Sequence, residues 1–375
     1  MNIVILGPAY PLRGGIAAFN ERLAHAFQQE GHSVEICSFS LQYPSFLFPG
    51  TSQFKSGPAP EGLRITAAVN SINPLNWLQV GRRLQRQRPD LVVVRYWLPF
   101  MGPALGTILR RIRKNKHTRI VCIADNVVPH EHRPGDRLFT RYFVGAVDAF
   151  ITMSQQVLND LRRFTCKPAL LEPHPLYDHF GAPLPQPQAR QHLQLPAEGF
   201  LFLFFGFIRA YKGLDLLLEA LHLLRQKPTA PPCKLLIAGE FYEDRQKYDE
   251  LIERYRLHDT VIRRTDFIPD EEVRYYVCAA DVVVQPYRSA TQSGVTPLAY
   301  HFEKPMIVTR VGGLPDMVPH EKAGLVCEPT AASLAEALET MLHANLEAYR
   351  QGVAAEKQKY AWSNMTRAVL QLAFQ

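Results

Sequence analysis

Twelve short apolar runs, each separated from the next by an amphipathic or charged stretch, constrain this 375-residue chain more than any other feature. In the first half they lie at 3–7, 33–39, 64–69, 90–96, 119–124 and 148–153. In the second they lie at 200–206, 233–239, 260–264, 281–286, 306–309 and 324–327. Most are continuous β-branched or aliphatic runs, as in Leu91-Val92-Val93-Val94. Unbroken apolarity of that kind marks strands buried on both faces of a parallel sheet. Helical patterns fall between them. One opens after Gly14-Gly15 and sets Ile16, Phe19, Leu23, Ala26 and Phe27 on one face, stopping at Gly31. Another starts near Lys212, carries Leu214, Leu217, Leu218, Leu221 and Leu224, and ends before Pro228. The strand–helix alternation runs through twice. It predicts an α/β fold of two doubly wound, Rossmann-like domains whose strand ends line a cleft, the usual place for a ligand.

Six prolines between Pro173 and Pro196 mark the division. They predict a stiff linker over 176–198, between an N-terminal domain of 1–175 and a C-terminal domain of 199–359. Residues 360–375 place Met365, Ala368, Val369 and Leu372 at helical spacing, so an amphipathic helix must pack on something.

Composition removes several classes. A 47% hydrophobic and 21% charged chain is too apolar to stay disordered. The six cysteines form no CxxC pair, and several sit inside apolar runs, which predicts reduced core cysteines in a cytoplasmic protein. The start, Met1 to Gly7, reads as a strand and lacks the basic region of a signal peptide. The longest uncharged apolar stretch, 96–109, is broken by Pro99, Gly102, Pro103 and Gly106 and is shorter than the roughly 20 residues a membrane span needs. The net charge of +7 is uneven: 21 Lys and Arg face 11 Asp and Glu up to Pro175, and 21 face 24 thereafter. The basic half predicts an anionic partner.

Three glycine turns follow strands. Gly14 and Gly15 close the turn after the first strand. The second turn runs Gly206-Phe207-Ile208-Arg209-Ala210-Tyr211-Lys212-Gly213, with Arg209 and Lys212 three residues apart beside helix amides. A diphosphate needs that pairing of fixed dipoles with cations, although two exposed loop cations would look the same. The third includes Ser293-Gly294-Val295 at a predicted helix start. In the first half, Asp125 and Asn126 leave a strand, with His130 and His132 a few residues on. Such groups suit proton handling or hydrogen bonding to a substrate, or simply form a turn. Two histidines with no third ligand nearby make a poor metal site.

In order and spacing these pieces resemble the retaining, nucleotide-sugar-dependent glycosyltransferases of family 4 (group 1), which have the GT-B fold. The glycine pair, the Lys212-Gly213 turn, the 280–286 strand, the Val311-Gly312-Gly313-Leu314-Pro315 turn, the Gly324-Leu325-Val326 strand and the final helix led by Trp362 carry the resemblance over nearly the whole chain. It implies a nucleoside diphosphate sugar bound by the second domain, an acceptor bound by the first, a last helix that crosses back onto the first domain, and no metal or other cofactor. It assigns Arg209 and Lys212 to the phosphates, with Gly206 and the Ser293, Gly294 and Val295 amides assisting. Gly14 and Gly15 approach the donor from the other domain, Thr291 and Gln292 are placed by the sugar, and Asp125 and His130 face a glycan or lipid-linked acceptor. Departures are plain. Thr291 and Ala299 stand where the family carries two glutamates, Phe207 replaces the arginine that follows the turn glycine, and Asp125 takes the place of a histidine.

Two basic clusters complete the reading: Arg82, Arg83 and Arg86, and Arg110, Arg111, Arg113 and Lys114. The second ends a predicted helix containing 96–109, with Trp97, Phe100 and Met101. Basic beside exposed apolar residues predicts a peripheral anionic membrane contact on the inner face; a solvated helix end is the plainer possibility. No nucleic-acid recognition motif accompanies the charge. The expected activity is sugar transfer. A nucleotide-sugar epimerase and a catalytically silent binding protein of the same fold are the rivals.

Overall fold

The computed structural model describes residues 1–44, 53–54, 58–128, 134–290 and 293–374. The chain forms two compact units, Met1–His174 joined by the segment from Trp362, and Pro175–Ala361.

Unit 1 contains strands β1 (Asn2–Leu6), β2 (Ser33–Leu41), β3 (Arg64–Asn70), β4 (Leu91–Tyr96), β5 (Arg119–Ala124), β6 (Ala149–Thr152) and β7 (Ala169–Leu171). Its helices are α1 (Gly15–Gln29), α2 (Pro74–Gln87), α3 (Gly102–Ile112), α4 (Asp136–Val144) and α5 (Gln155–Arg162). The sheet is parallel, in the order β3-β2-β1-β4-β5-β6-β7, so its direction of winding reverses between β1 and β4. Period two sorts β4 between two cores. Val92, Val94 and Tyr96 meet Leu84, Leu105, Ile108 and Leu109 of α2 and α3. Leu91 and Val93 belong to the cluster of Phe19, Leu23 and Phe27 on α1.

Unit 2 opens with α6 (Gln186–His192). Then follow β8 (Phe200–Phe205), α7 (Leu214–Arg225), β9 (Cys233–Ala238), α8 (Gln246–Arg254), β10 (Val261–Arg264), α9 (Asp270–Ala279) and β11 (Val282–Gln285). It ends with α10 (Val295–His301), β12 (Met306–Thr309), α11 (Leu314–Met317), β13 (Gly324–Cys327), α12 (Ala331–His343) and α13 (Leu346–Lys357). The parallel order is β10-β9-β8-β11-β12-β13, with the switch between β8 and β11. The final helix, α14 (Trp362–Phe374), returns to unit 1. Met365 and Val369 are fully buried there, and the Trp362 ring meets Phe19 edge-on at 4.9 Å.

All twelve expected strands form. The structure adds β7, whose three residues carry too little pattern to announce themselves. Three expectations need correction. The proline-rich stretch, expected as a stiff linker between the domains, groups with unit 2, where α6 buries Ala189 while Leu193 and Leu195 follow it into the core. Its prolines fix φ around the helix, with one at the start of α6, and do not prevent packing. Second, no helix spans 96–109. Tyr96 ends β4, Pro99–Met101 form a single 3-10 turn, and α3 begins at Gly102 with Pro103 in its first turn. Third, the cysteines are not uniformly buried: Cys166 is exposed and Cys233 half-buried, though all six are free thiols.

Candidate functional site

In unit 2 the polar groups gather where β8, β9 and β11 end. The chain leaves β8 through Gly206 at φ +95° and enters α7 through Gly213 at φ +67°, a backbone region that favours glycine. A Cβ on Gly213 would fall 2.0 Å from the Pro286 carbonyl oxygen, and one on Gly239 2.5 Å from the Gly206 carbonyl oxygen. A Cβ on Gly206 would stand 2.9 Å from Lys212 Nζ. Glycine at all three positions therefore lets the three loops close around one ammonium group.

Lys212 is 9% exposed, and among the described residues its ammonium has no hydrogen-bond or ion-pair partner. The Tyr287 ring lies 5.7 Å away. Burial, reinforced by the positive charge of Arg209, pushes the Lys212 pKa down to about 8. An unpaired cation that buried is costly, and a bound anion would relieve the cost. Arg209 is exposed and lies 5.1 Å from the Tyr242 ring centre, and Phe207 tilts against Tyr242 at 4.5 Å.

The structure brings Gly206, Arg209, Lys212 and Val295 together; a Gly206 Cβ would lie 3.9 Å from Val295 Cγ2. Ser293 is buried, shares a hydrogen bond with the Tyr287 hydroxyl at 3.1 Å and accepts from the Val295 amide at 3.1 Å. That amide is thus already engaged, contrary to its expected role as a free donor. Gly294 packs beside the Tyr177 ring. Thr291 and Gln292 lie outside the described residues. Ala299 is fully buried in the core of unit 2, so no side chain there reaches a ligand.

In unit 1, Gly14 precedes α1 at φ +119°, and no described residue outside their immediate neighbours comes within 4 Å of a Cβ placed on Gly14 or Gly15. Asp125 follows β5 and is paired with Arg95, the penultimate residue of β4. Arg95 Nε donates to Asp125 Oδ2 at 3.1 Å, and Arg95 Nη2 donates to Oδ1. Burial raises the Asp125 carboxyl above the ordinary carboxylate range, and the Arg95 guanidinium opposes that rise. Sequence reasoning missed Arg95. Its signal was a lone cation inside an otherwise apolar strand. His130 and His132 lie outside the described residues.

The basic clusters divide. Arg83 reaches Glu35 and the Cys37 sulfur, Arg110 caps carbonyls of Gly106 and Tyr142, and Arg113 pairs with Asp148 at 3.0 Å. Arg111 packs over Gly81. Arg82, Arg86 and Lys114 are exposed. Trp97 and Phe100 pack against the core and Met101 is buried, so the expected apolar face beside α3 is internal. Exposed apolar residues on the neighbouring helices include Leu75 and Leu78 of α2 and Leu138 of α4.

Two parallel, doubly wound units, the second ending in a glycine-lined cation site, define the GT-B class of glycosyltransferase. Comparison with known proteins agrees. A family model described as glycosyl transferases group 1 matches residues 199–344, and one described as glycosyltransferase family 4 matches 13–172. The chain belongs to this family. It is 25% identical to a glycogen synthase of Mycobacterium tuberculosis, over 99% of this chain and 94% of that one. It is 31% identical to a D-inositol 3-phosphate glycosyltransferase of Jonesia denitrificans, over 52% of this chain and 46% of that one. Among solved structures, Anabaena HepE in complex with UDP superposes with a TM-score of 0.70 at 16% identity, covering 99% of both chains. No helix among the described residues is long and apolar enough to cross a membrane.

Proposed function

We propose that this glycosyltransferase moves a sugar from a nucleoside diphosphate donor to a hydroxyl of a glycan or lipid-linked acceptor, with retention of configuration and without a metal. The observation that carries the donor assignment is Lys212, buried and unpaired beside Arg209 at the carboxyl edge of the unit 2 sheet. As the glycosidic bond breaks, negative charge develops on the leaving diphosphate. A fixed ammonium with a guanidinium nearby stabilises that charge in surroundings of low dielectric, where no solvent need reorganise. The UDP held by the HepE relative supports a nucleotide donor. Asp125, whose carboxylate keeps 18% exposure at the carboxyl edge of the unit 1 sheet, serves the acceptor hydroxyl. The setting is cytoplasmic, with a peripheral contact to an anionic membrane surface.

The test is incubation with a panel of UDP-, ADP-, GDP- and dTDP-sugars, with and without saccharide acceptors, read by mass spectrometry. Acceptor-dependent diphosphate release, insensitive to EDTA and lost in Lys212→Ala, is expected. NMR of the product should show the donor's anomeric configuration. An isomerised sugar would identify an epimerase, and nucleotide binding without turnover a silent binding protein. Wild-type turnover by Lys212→Ala would remove the role given to that residue.

A further inference from the structure

The Arg95–Asp125 pair is an unusual thing to build into a strand. Arg95 is 1% exposed, near the end of the central strand of the unit 1 sheet, where the four residues before it on β4 are apolar. Its guanidinium lies 4.0 Å from the Phe19 ring centre on α1, so ring and carboxylate fix it from two sides. Among the described residues its Nη1 is sealed from solvent without a partner, and so is the Oδ1 of Asn20, which is itself fully buried. Gly7, at the end of β1, makes room for both: a Cβ there would stand 2.7 Å from Asn20 Nδ2 and 3.1 Å from Arg95 Cγ. A hydrophobic side chain of similar size would fill this volume with no charge to desolvate and no unsatisfied donor. Buried charge of that kind, placed at the carboxyl ends of parallel strands, is more economically explained by a ligand than by stability.

The pair's geometry says what it does. β4 and β5 run side by side with Tyr96 opposite Ala124, so Arg95 and Asp125 leave adjacent strand ends. The Asp125 amide donates to the Tyr96 carbonyl at 2.8 Å, fixing the backbone. Arg95 takes one lone pair from each carboxylate oxygen in a side-on fork. The other lone pairs remain for an outside donor, and the carboxylate is the exposed member of the pair.

We propose that Arg95 is the positioning residue of the acceptor site: it clamps Asp125 so that the free edge of the carboxylate receives the hydrogen bond of the acceptor hydroxyl. This rests on the transferase reading and on Asp125 serving the acceptor. Arg95 itself touches no substrate. A sugar or polyol hydroxyl is the matching ligand, since it donates one hydrogen bond to a fixed acceptor. Lysine at position 95 would keep the charge but hold only one oxygen.

The experiment uses the full chain and a donor and saccharide acceptor that the wild type turns over. Transfer to the saccharide is measured against hydrolysis of the same donor by water. Arg95→Met should lower the transfer-to-hydrolysis ratio at least tenfold and raise the acceptor KM more than the donor KM. Arg95→Lys should recover part of both. Because Arg95→Met leaves a half-buried carboxylate unpaired, the double variant Arg95→Met/Asp125→Asn, which removes both charges, guards against simple misfolding. It should fold, by circular dichroism, and show the same low ratio. A wild-type acceptor KM and ratio in folded Arg95→Met, or in the folded double variant, would overturn the clamp while leaving the transferase reading intact. A parallel rise in donor and acceptor KM would overturn it too, in favour of a purely structural pair. A wild type that releases no diphosphate from any donor would overturn the transferase reading itself, and the clamp with it.

Discussion

Lys212 shows how one residue trades stability for binding. Its ammonium titrates near 8 in the folded chain and near the ordinary lysine value once unfolded. Below pH 8 it is charged in both states, and folding bears the full desolvation cost. Between about 8 and the ordinary lysine value the unfolded chain holds the proton while the folded chain has lost it, so stability rises with pH over that window. Lys212→Met should therefore stabilise the protein at pH 7, by at most about 3 kcal/mol, while abolishing donor binding. Thermal melts beside nucleotide titrations check both halves. In the wild type, kcat/KM for the donor should fall as pH rises through about 8, because the free enzyme then loses the cation. Gly206→Ala meets Lys212 Nζ at 2.9 Å and is strained at φ +95°, so it should weaken donor binding at least tenfold; isothermal titration measures it. The motif from Gly206 to Lys212 was legible in the sequence because turn glycines and cations are local signals. The loss of a free Val295 amide was not, since it depends on where the Ser293 hydroxyl points.

At the scale of elements, α6 teaches most. Six prolines argued for a spacer, yet the segment is tied down by one buried ion pair. Arg190 Nη2 donates to Asp281 Oδ2 at 2.9 Å, and Asp281 also accepts from the Leu201 amide at 2.8 Å and from the Gln186 side chain at 2.9 Å. One carboxylate thus joins α6 to the starts of β8 and β11. Asp281→Ala leaves Arg190, 4% exposed, without its counter-charge and should cost about 3–5 kcal/mol in urea unfolding. Leu193→Ala, which only trims the same packing, should cost less, about 2–3 kcal/mol. The same logic applies to α14. Its helical spacing was readable and the family resemblance implied its return to the first domain, but not its contacts: Met365 is fully buried against α1 and the unit 1 sheet, and Met365→Ala should cost about 2–5 kcal/mol. β7 and the break between β4 and α3 were misjudged for a common reason. Three-residue strands and apolar turns have no period to read, and their backbone is fixed by neighbours.

For the whole molecule, the charge asymmetry acquires a location. The excess of Lys and Arg in the first half belongs to unit 1, where Arg82 and Arg86 stand on the same helix as exposed Leu75 and Leu78. A basic helix with leucines exposed on it would suit an anionic lipid surface, so of the two basic clusters proposed for that contact the one on α2 is the one to test. Co-sedimentation should show binding to phosphatidylserine-containing vesicles, weakened by salt and by Arg82→Glu/Arg86→Glu. Equal binding to neutral vesicles, or none to either, would sink the contact. The sequence by itself determined the strands, the two doubly wound sheets and the cation-bearing turn, because hydrophobic period and turn glycines act over a few residues. Only the tertiary structure decided that Arg95 grips Asp125, that Lys212 is left without a partner among the described residues, that α6 packs the proline-rich stretch onto unit 2, and which residues of α1 and the unit 1 sheet the last helix meets. Each of these depends on which strand ends the parallel order sets side by side, and residues far apart in the chain meet there only after the sheets have formed.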